Sequence, residues 1–238
     1  MGEVYRSGRG RKVRSRVVVQ RGGRELRVDG TFASFYEPGS VVTGSVWDGL
    51  GASLLALPPA RRRRILVLGL GGGSAARLAR ALAPRAHIVG VEIDREVIAL
   101  ARRWFDLDAL DVEVVNGDAR HFLARERRRF DAVLEDVFVG RGRSVHKPGW
   151  MVEEGLPRAA ECVARGGVLT SNTLDETAEV AAVLRARFPG LVEIGVRDYD
   201  NRLLVAGPAS LSGRELRAAV AKSPVLAQSA GELRFRTR

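Results

Sequence analysis

The sequence predicts an α/β protein, doubly wound around a mostly parallel sheet of seven strands, with a small antiparallel β unit ahead of it. Three observations carry this expectation. From Arg64 onward, apolar runs alternate with helical patterns, and strand followed by helix needs crossovers and hence parallel neighbours. The runs "RILVLGL", "AHIVGVEID" and "FDAVLED" are almost continuously apolar, as strands covered on both faces are. Before Arg64 the pattern is short β-branched runs broken by turn residues.

Residues 11–35 read as strands in "RKVRSRVVVQ", "RELRVDG" and "TFASFY", with Gly22, Gly23, Asp29 and Gly30 supplying the turns. Thr43 to Leu57 has an apolar helical face that ends at Pro58 and Pro59. The expected division is a β unit over 1–42 and a Rossmann-like domain over 43–238. Within the second unit, "GSAARLARALA", "REVIALARRWF", "ARHFLARERR", "EEGLPRAAECVA" and "ETAEVAAVLRARF" are the helices, and "VEVVNGD" and "GGVLTSN" are further strands. "LVEIGVRD" and "RLLVAG" form a hairpin through "YDN" that adds an antiparallel edge strand. "SGRELRAAVAKS" is the final helix, and the tail after Pro224 is expected to be loosely held.

The 238-residue length suits one sizeable domain or a domain with a small appendage. A net charge of +11 raises nucleic acid as a partner. Yet only Lys12, Lys147 and Lys222 are lysines among 39 basic residues, the arginines are dispersed, and "RRRR" at 61–64 directly precedes a strand. The basic amino terminus lacks interleaved aromatics for base stacking, so a solvated basic surface is expected rather than a nucleic-acid site. No apolar stretch reaches bilayer length and no hydrophobic signal core opens the chain, so the expected location is cytoplasmic, with no membrane partner. Cys162 is the single cysteine and is expected to pack on a helix. Three separated histidines offer no ligand cluster, so no metal is expected. G-x-S-x-G and P-loop patterns are absent.

In doubly wound sheets, ligands bind beyond the carboxyl ends of the strands, and Gly69, Gly71 and Gly73 occupy the first strand-to-helix turn. Bare backbone there lets a ligand lie against the amides of Gly71 to Ser74. Glu92 ends the second strand about 20 residues later, where a carboxylate accepts both ribose hydroxyl protons. Asp118 and its neighbour Ala119 follow the third strand, placed to meet adenine, although an acid there also caps a helix. Asp136 ends the fourth strand. Ser74 stands where a dinucleotide fingerprint has its third glycine, so an adenosyl sulfonium suits the loop better than a pyrophosphate.

"ILVLGLGGGSAARLAR", "VEIDREVIALARRWF", "NGDARHFL" and "FDAVLED", with "LRVDGTFASFY" upstream, resemble the polyamine aminopropyltransferases, the spermidine synthases, over roughly residues 24–206. That family shares the class I methyltransferase fold. The resemblance implies decarboxylated S-adenosylmethionine as donor and a homodimer as a possible assembly. It breaks at the acceptor: the family's GGGDGG aspartate falls at Gly72, the second acid of D-[ST]-[ST]-D-P at Val139, and the glutamine after "DG" at Ala33. A diamine dication needs paired carboxylates, so methyl transfer from S-adenosylmethionine to a small-molecule acceptor is the first expectation. Aminopropyl transfer to an amine stays open, with Asp48, Glu135 or Asp175 as replacement acids. So does a non-catalytic nucleoside- or RNA-binding protein.

Asp136 is expected to orient or deprotonate the attacking group. The long loop "VFVGRGRSVHKPGWM" reads as a lid. Tyr36, Trp47, Phe138 and His146 are the candidate acceptor-binding residues, and Arg77 the candidate partner of a donor carboxylate. His121 is placed either at adenine or in packing; His87 carries no signal.

Overall fold

The computed structural model describes residues 4–6, 15–20 and 22–238; the start of the expected first strand, residues 11–14, lies outside them. Four antiparallel strands, β1 (Val4–Arg6), β2 (Ser15–Gln20), β3 (Gly23–Val28) and β4 (Thr31–Tyr36), form a small sheet in sequence order. Helix α1 (Val46–Ser53) follows, buried along its whole length.

The second sheet has eight strands. Its parallel part is built from β5 (Arg64–Leu68), β6 (His87–Glu92), β7 (Val112–Asn116), β8 (Phe130–Glu135) and β9 (Val163–Thr173). Helices α2 (Ser74–Leu82), α3 (Arg95–Trp104), α4 (Ala119–Arg125) and α5 (Leu156–Glu161) make the crossovers, and a π-helical turn at Met151–Gly155 leads into α5. After α6 (Thr177–Arg185) come β10 (Gly190–Val196), β11 (Arg202–Gly207), α7 (Gly213–Lys222) and β12 (Leu233–Thr237). The spatial order is β12-β10-β11-β9-β8-β5-β6-β7. The chain thus runs outward from β5 through β6 and β7, then returns to its other side with β8, and that reversal opens a crevice above β5 and β8.

The eighth strand corrects two expectations, the count of seven and the loose tail. Leu233 is buried and Phe235 packs on the core, while Arg234 and Arg236 alternate away from them; the resulting strand pairs antiparallel with β10. Period-two alternation was present in "LRFRT", and the Pro224 break hid it.

Alternation along β5 divides the core. Ile65 and Val67 pack with α1, α2 and α7, Leu66 and Leu68 with α4, α5 and α6, and all four are fully buried. Each such side chain contributes about 1.5–3 kcal/mol relative to exposure. A third cluster joins Val97, Leu100 and Phe105 of the α3 region to Val17 and Leu26 of the small sheet, fixing that sheet against the large one. Cys162 is buried in the layer of α5.

The arginine run serves the fold at the amino end of β5. Arg62 donates to the carbonyls of Leu57 and Leu82, Arg61 to that of Arg165, and the backbone N–H groups of Arg63 and Arg64 bond the Asp131 carboxylate. Among the described residues no helix is long and apolar enough to cross a membrane.

Candidate active site

Strand register sets the site. Leu68 lies opposite Val91 and Glu135, Glu92 opposite Asn116, and Glu135 opposite Ser171. One residue further along, Gly69, Asp136 and Asn172 come level beside Glu92, and the turn holding Asp118 continues the row. A cavity of about 650 Å³ lies over it, lined by Gly69, Gly71, Glu92, Asp118, Ala119 and Asp136, with Phe32 and Trp47 above. The volume falls within the range of small-molecule sites.

The glycines answer first to the protein. At Gly69, where φ is +80°, a Cβ would stand 2.5 Å from the Asp136 carbonyl oxygen. At Gly71 and Gly72 it would meet Ser34. The expected free amides are also taken: Gly71 N–H donates to Glu92 Oε2 at 2.9 Å, Gly72 N–H to Ser34 Oγ at 2.7 Å, and Gly73 N–H to the Leu70 carbonyl at 2.9 Å. Ser74 Oγ bonds both the N–H and the carbonyl of Phe35, locking β4 onto the turn. The loop therefore shapes the cavity through close packing rather than a row of open donors. Gly72 and Gly73 do not line it, and Gly73 caps α2.

Glu92 accepts from Gly71 through one oxygen and from the Asp94 N–H, at 3.0 Å, through the other. Burial pushes its carboxyl above the usual carboxylate range, opposed by those N–H donors. Each oxygen keeps a lone pair for a diol. Asp118 is the N-cap of α4, accepting the Arg120 N–H at 2.7 Å, and lines the cavity as well. Between these acids Ile93 is 68% exposed, an apolar lip beside the cavity suited to the face of a base.

Asp136 is held from two sides. Trp47 Nε1–H donates to Oδ2 at 3.0 Å and Asn172 Nδ2–H to Oδ1 at 2.7 Å. Burial raises its carboxyl to about 6; the two donors and Lys147 pull down, while Glu135 adds to the rise. Asn201 Nδ2–H in turn donates to Asn172 Oδ1 at 2.9 Å, fixing which end of the Asn172 amide faces the carboxylate. No local pattern flagged Asn172 and Asn201; the polar end of "GGVLTSN" was the one available signal.

The other acceptor candidates separate. Trp47 and Phe138 line the cavity. Tyr36 and His146 do not, which corrects their expected placement. Tyr36 stacks near Phe105, with the Arg77 guanidinium 4.2 Å above its ring, because the alternation of β4 turns it toward α3. His146 is exposed, its Nδ1 contacting the Ser144 carbonyl and its backbone pairing with Val139. Arg77 is spent on Tyr36 and the Phe105 carbonyl, so it is no partner for a donor carboxylate. Of the replacement acids, Asp48 holds Thr43, Gly44 and Ser229, Glu135 is sealed in an ion pair with Lys147 at 2.8 Å, and Asp175 is exposed outside the lining. His121 is likewise exposed outside it, and His87 pairs with Glu113 at 3.0 Å.

Five carboxylates line the cavity, from Asp29, Glu92, Asp94, Asp118 and Asp136, and among the described residues no Arg, Lys or His does. Asp29 meets Arg141 at 3.5 Å, and Asp94 caps α3. A protein that is basic overall thus presents an acidic interior, which fits a cationic nucleoside. No group of three or more His, Cys, Asp or Glu suited to a metal occurs among the described residues.

A doubly wound sheet with this row of acids defines the class of nucleoside-binding folds to which the S-adenosylmethionine-type transferases belong. Comparison with known proteins agrees. A family model described as a methyltransferase domain matches residues 65–167. The polyamine aminopropyltransferase of Vibrio vulnificus is 35% identical over 172 residues, 69% of this chain and 56% of that protein. The eEF1A lysine and N-terminal methyltransferase homolog of Drosophila melanogaster is 29% identical over 151 residues, 59% of this chain and 22% of that protein. The chain therefore spans little more than half of one relative and about a fifth of the other. Among solved structures, a probable spermidine synthase from Corynebacterium glutamicum superposes with a TM-score of 0.75 at 20% identity, covering 100% of this chain and 91% of that one. Human methyltransferase-like protein 13, in complex with SAH, gives 0.64 at 24% identity over 79% and 93%. The chain is similar to polyamine aminopropyltransferases and has the α/β fold shared by spermidine synthase and methyltransferase structures.

Proposed function

We propose that the protein is a transferase that binds an adenosyl sulfonium across the carboxyl ends of β5 to β8 and moves an alkyl group to an amine beside Asp136, with methyl transfer from S-adenosylmethionine as the first reading. Asp136 carries the proposal: it lines the cavity directly after β8, held by Trp47 and Asn172. Glu92 holds the ribose hydroxyls, while Ala119 and Ile93 border the base and Asp118 accepts from its amino group. A bound sulfonium supplies an electrophilic carbon and a neutral thioether leaving group. The acceptor's ammonium first gives one proton to Asp136, the freed lone pair attacks that carbon, and the carbon–sulfur pair stays on sulfur. The alkylated nitrogen leaves as an ammonium while Asp136 passes its proton to water. A carboxyl near 6 is ionised at neutral pH yet more basic than an ordinary aspartate, and both properties suit that role.

Methyl transfer is favoured because the acids that a diamine acceptor requires are engaged elsewhere or absent. Aminopropyl transfer has its own support: among the described residues the cavity lining holds no cation to meet the α-carboxylate of an intact donor. Incubating the protein with a pool of amines and either donor, then reading products by mass spectrometry, separates the two. A mass gain of one methyl group with S-adenosylmethionine is the expected result. A gain of one aminopropyl group with the decarboxylated donor alone would replace the first reading by the second.

A further inference from the structure

The surroundings of Asp136 specify more than a nucleophile. Its two oxygens lie between the Trp47 indole and the Asn172 amide. Phe32 stands edge-on to Trp47 with ring centroids 5.0 Å apart, and Asn201 backs Asn172. Val139, Val145, Leu174 and Tyr199 continue the lining on this side. Asp136 is therefore set among rings, aliphatic groups and neutral amides, and Asp29, the other lining acid beside the 137–149 loop, already meets Arg141 at 3.5 Å. An ammonium brought to Asp136 finds its counter-charge. A second ammonium, a few bonds further along the same molecule, meets groups that do not replace its water, and burying an unpaired charge is costly.

We infer that the acceptor is a monoamine, one amino group on an apolar body, with the nitrogen at Asp136 and the body against Phe32, Trp47, Leu174 and Tyr199. This rests on the proposed transferase reading but not on which donor is used. It accounts for Val139, which is 43% exposed at the cavity and would be covered by an apolar body. It also accounts for the neutral pair Asn172 and Asn201, which hold the carboxylate in place without adding charge.

The test is calorimetric titration of n-pentylamine and putrescine, equal in heavy-atom count, into the protein with and without saturating S-adenosylhomocysteine. n-Pentylamine is expected to bind at least ~10-fold more tightly, equivalent to about 1.4 kcal/mol. Val139→Asp, which adds a carboxylate at an exposed position, is expected to reverse the order by strengthening putrescine. Equal or tighter binding of putrescine by the unaltered protein overturns the inference, and so does the absence of binding by both amines. Nucleoside heat in the same titrations, present or absent, reports separately on the donor site.

Discussion

Asp136→Asn is expected to lower turnover by about 10²–10⁴-fold, the usual contribution of a positioned base, while the nucleoside dissociation constant stays within a few-fold. The substitution keeps the size of the side chain and removes its charge. It leaves Glu92 and Asp118 untouched, which is why binding and turnover should part. The pH profile adds a second reading. Because burial raises the Asp136 carboxyl to about 6, it is protonated below that pH and accepts no further proton. Turnover of the unaltered protein should climb as pH rises through about 6, and the asparagine variant should lack that limb. Linkage gives the opposite sign for stability: with its pKa above the unfolded value, this group's contribution is fully present below the unfolded pKa and is lost as pH rises through about 6. Activity and stability should therefore move in opposite directions across that window. Retained turnover in the variant would remove Asp136 from the chemistry.

Lys147→Met should destabilise the protein by about 3–5 kcal/mol, the cost of leaving a buried partner uncompensated. Lys147 and Glu135 have fully buried side chains, 2.8 Å apart, and Ser171 Oγ bonds the same carboxylate. The ammonium also lies 4.6 Å from the centre of the Phe138 ring, and the Lys147 N–H donates to Glu176 Oε1 at 2.7 Å. The pair thus ties the end of the 137–149 loop to β8, β9 and the start of α6. In a chain of this length the loss corresponds to a fall in Tm of roughly 10 °C. Lys147→Met with Glu135→Gln should recover much of it, since no unpaired charge remains. Chemical denaturation of the two variants checks both values, and equal loss in single and double variants would contradict this account of the pair.

The parallel sheet and the acids at its rim were legible because β5 to β8 each run into their own acid or glycine, and parallel register brings those ends level. Glu92, Asp118 and Asp136 follow from that local reading. What escaped was made by pairs distant in sequence. Trp47 reaches Asp136 across 89 positions, and Ser34 reaches Gly72 across 38. Nothing near Trp47 distinguishes an indole that holds a carboxylate from one that fills a core. Glu135 read as a spare acid and Lys147 only as one of three lysines, and folding seals them together. Tyr36 went astray for the converse reason: its strand was recognised, but which face of a four-stranded sheet meets the cavity is set by how that sheet docks on α3.

All of this depends on an adenosyl nucleoside lying over β5 and β6. A crystal structure of the protein with S-adenosylhomocysteine tests that directly. The ribose hydroxyls are expected on Glu92, the base along Ile93 and Ala119 with its amino group toward Asp118, and the sulfur nearest Asp136. A nucleoside lodged elsewhere, or a cavity that takes up none at saturating concentration, would contradict it.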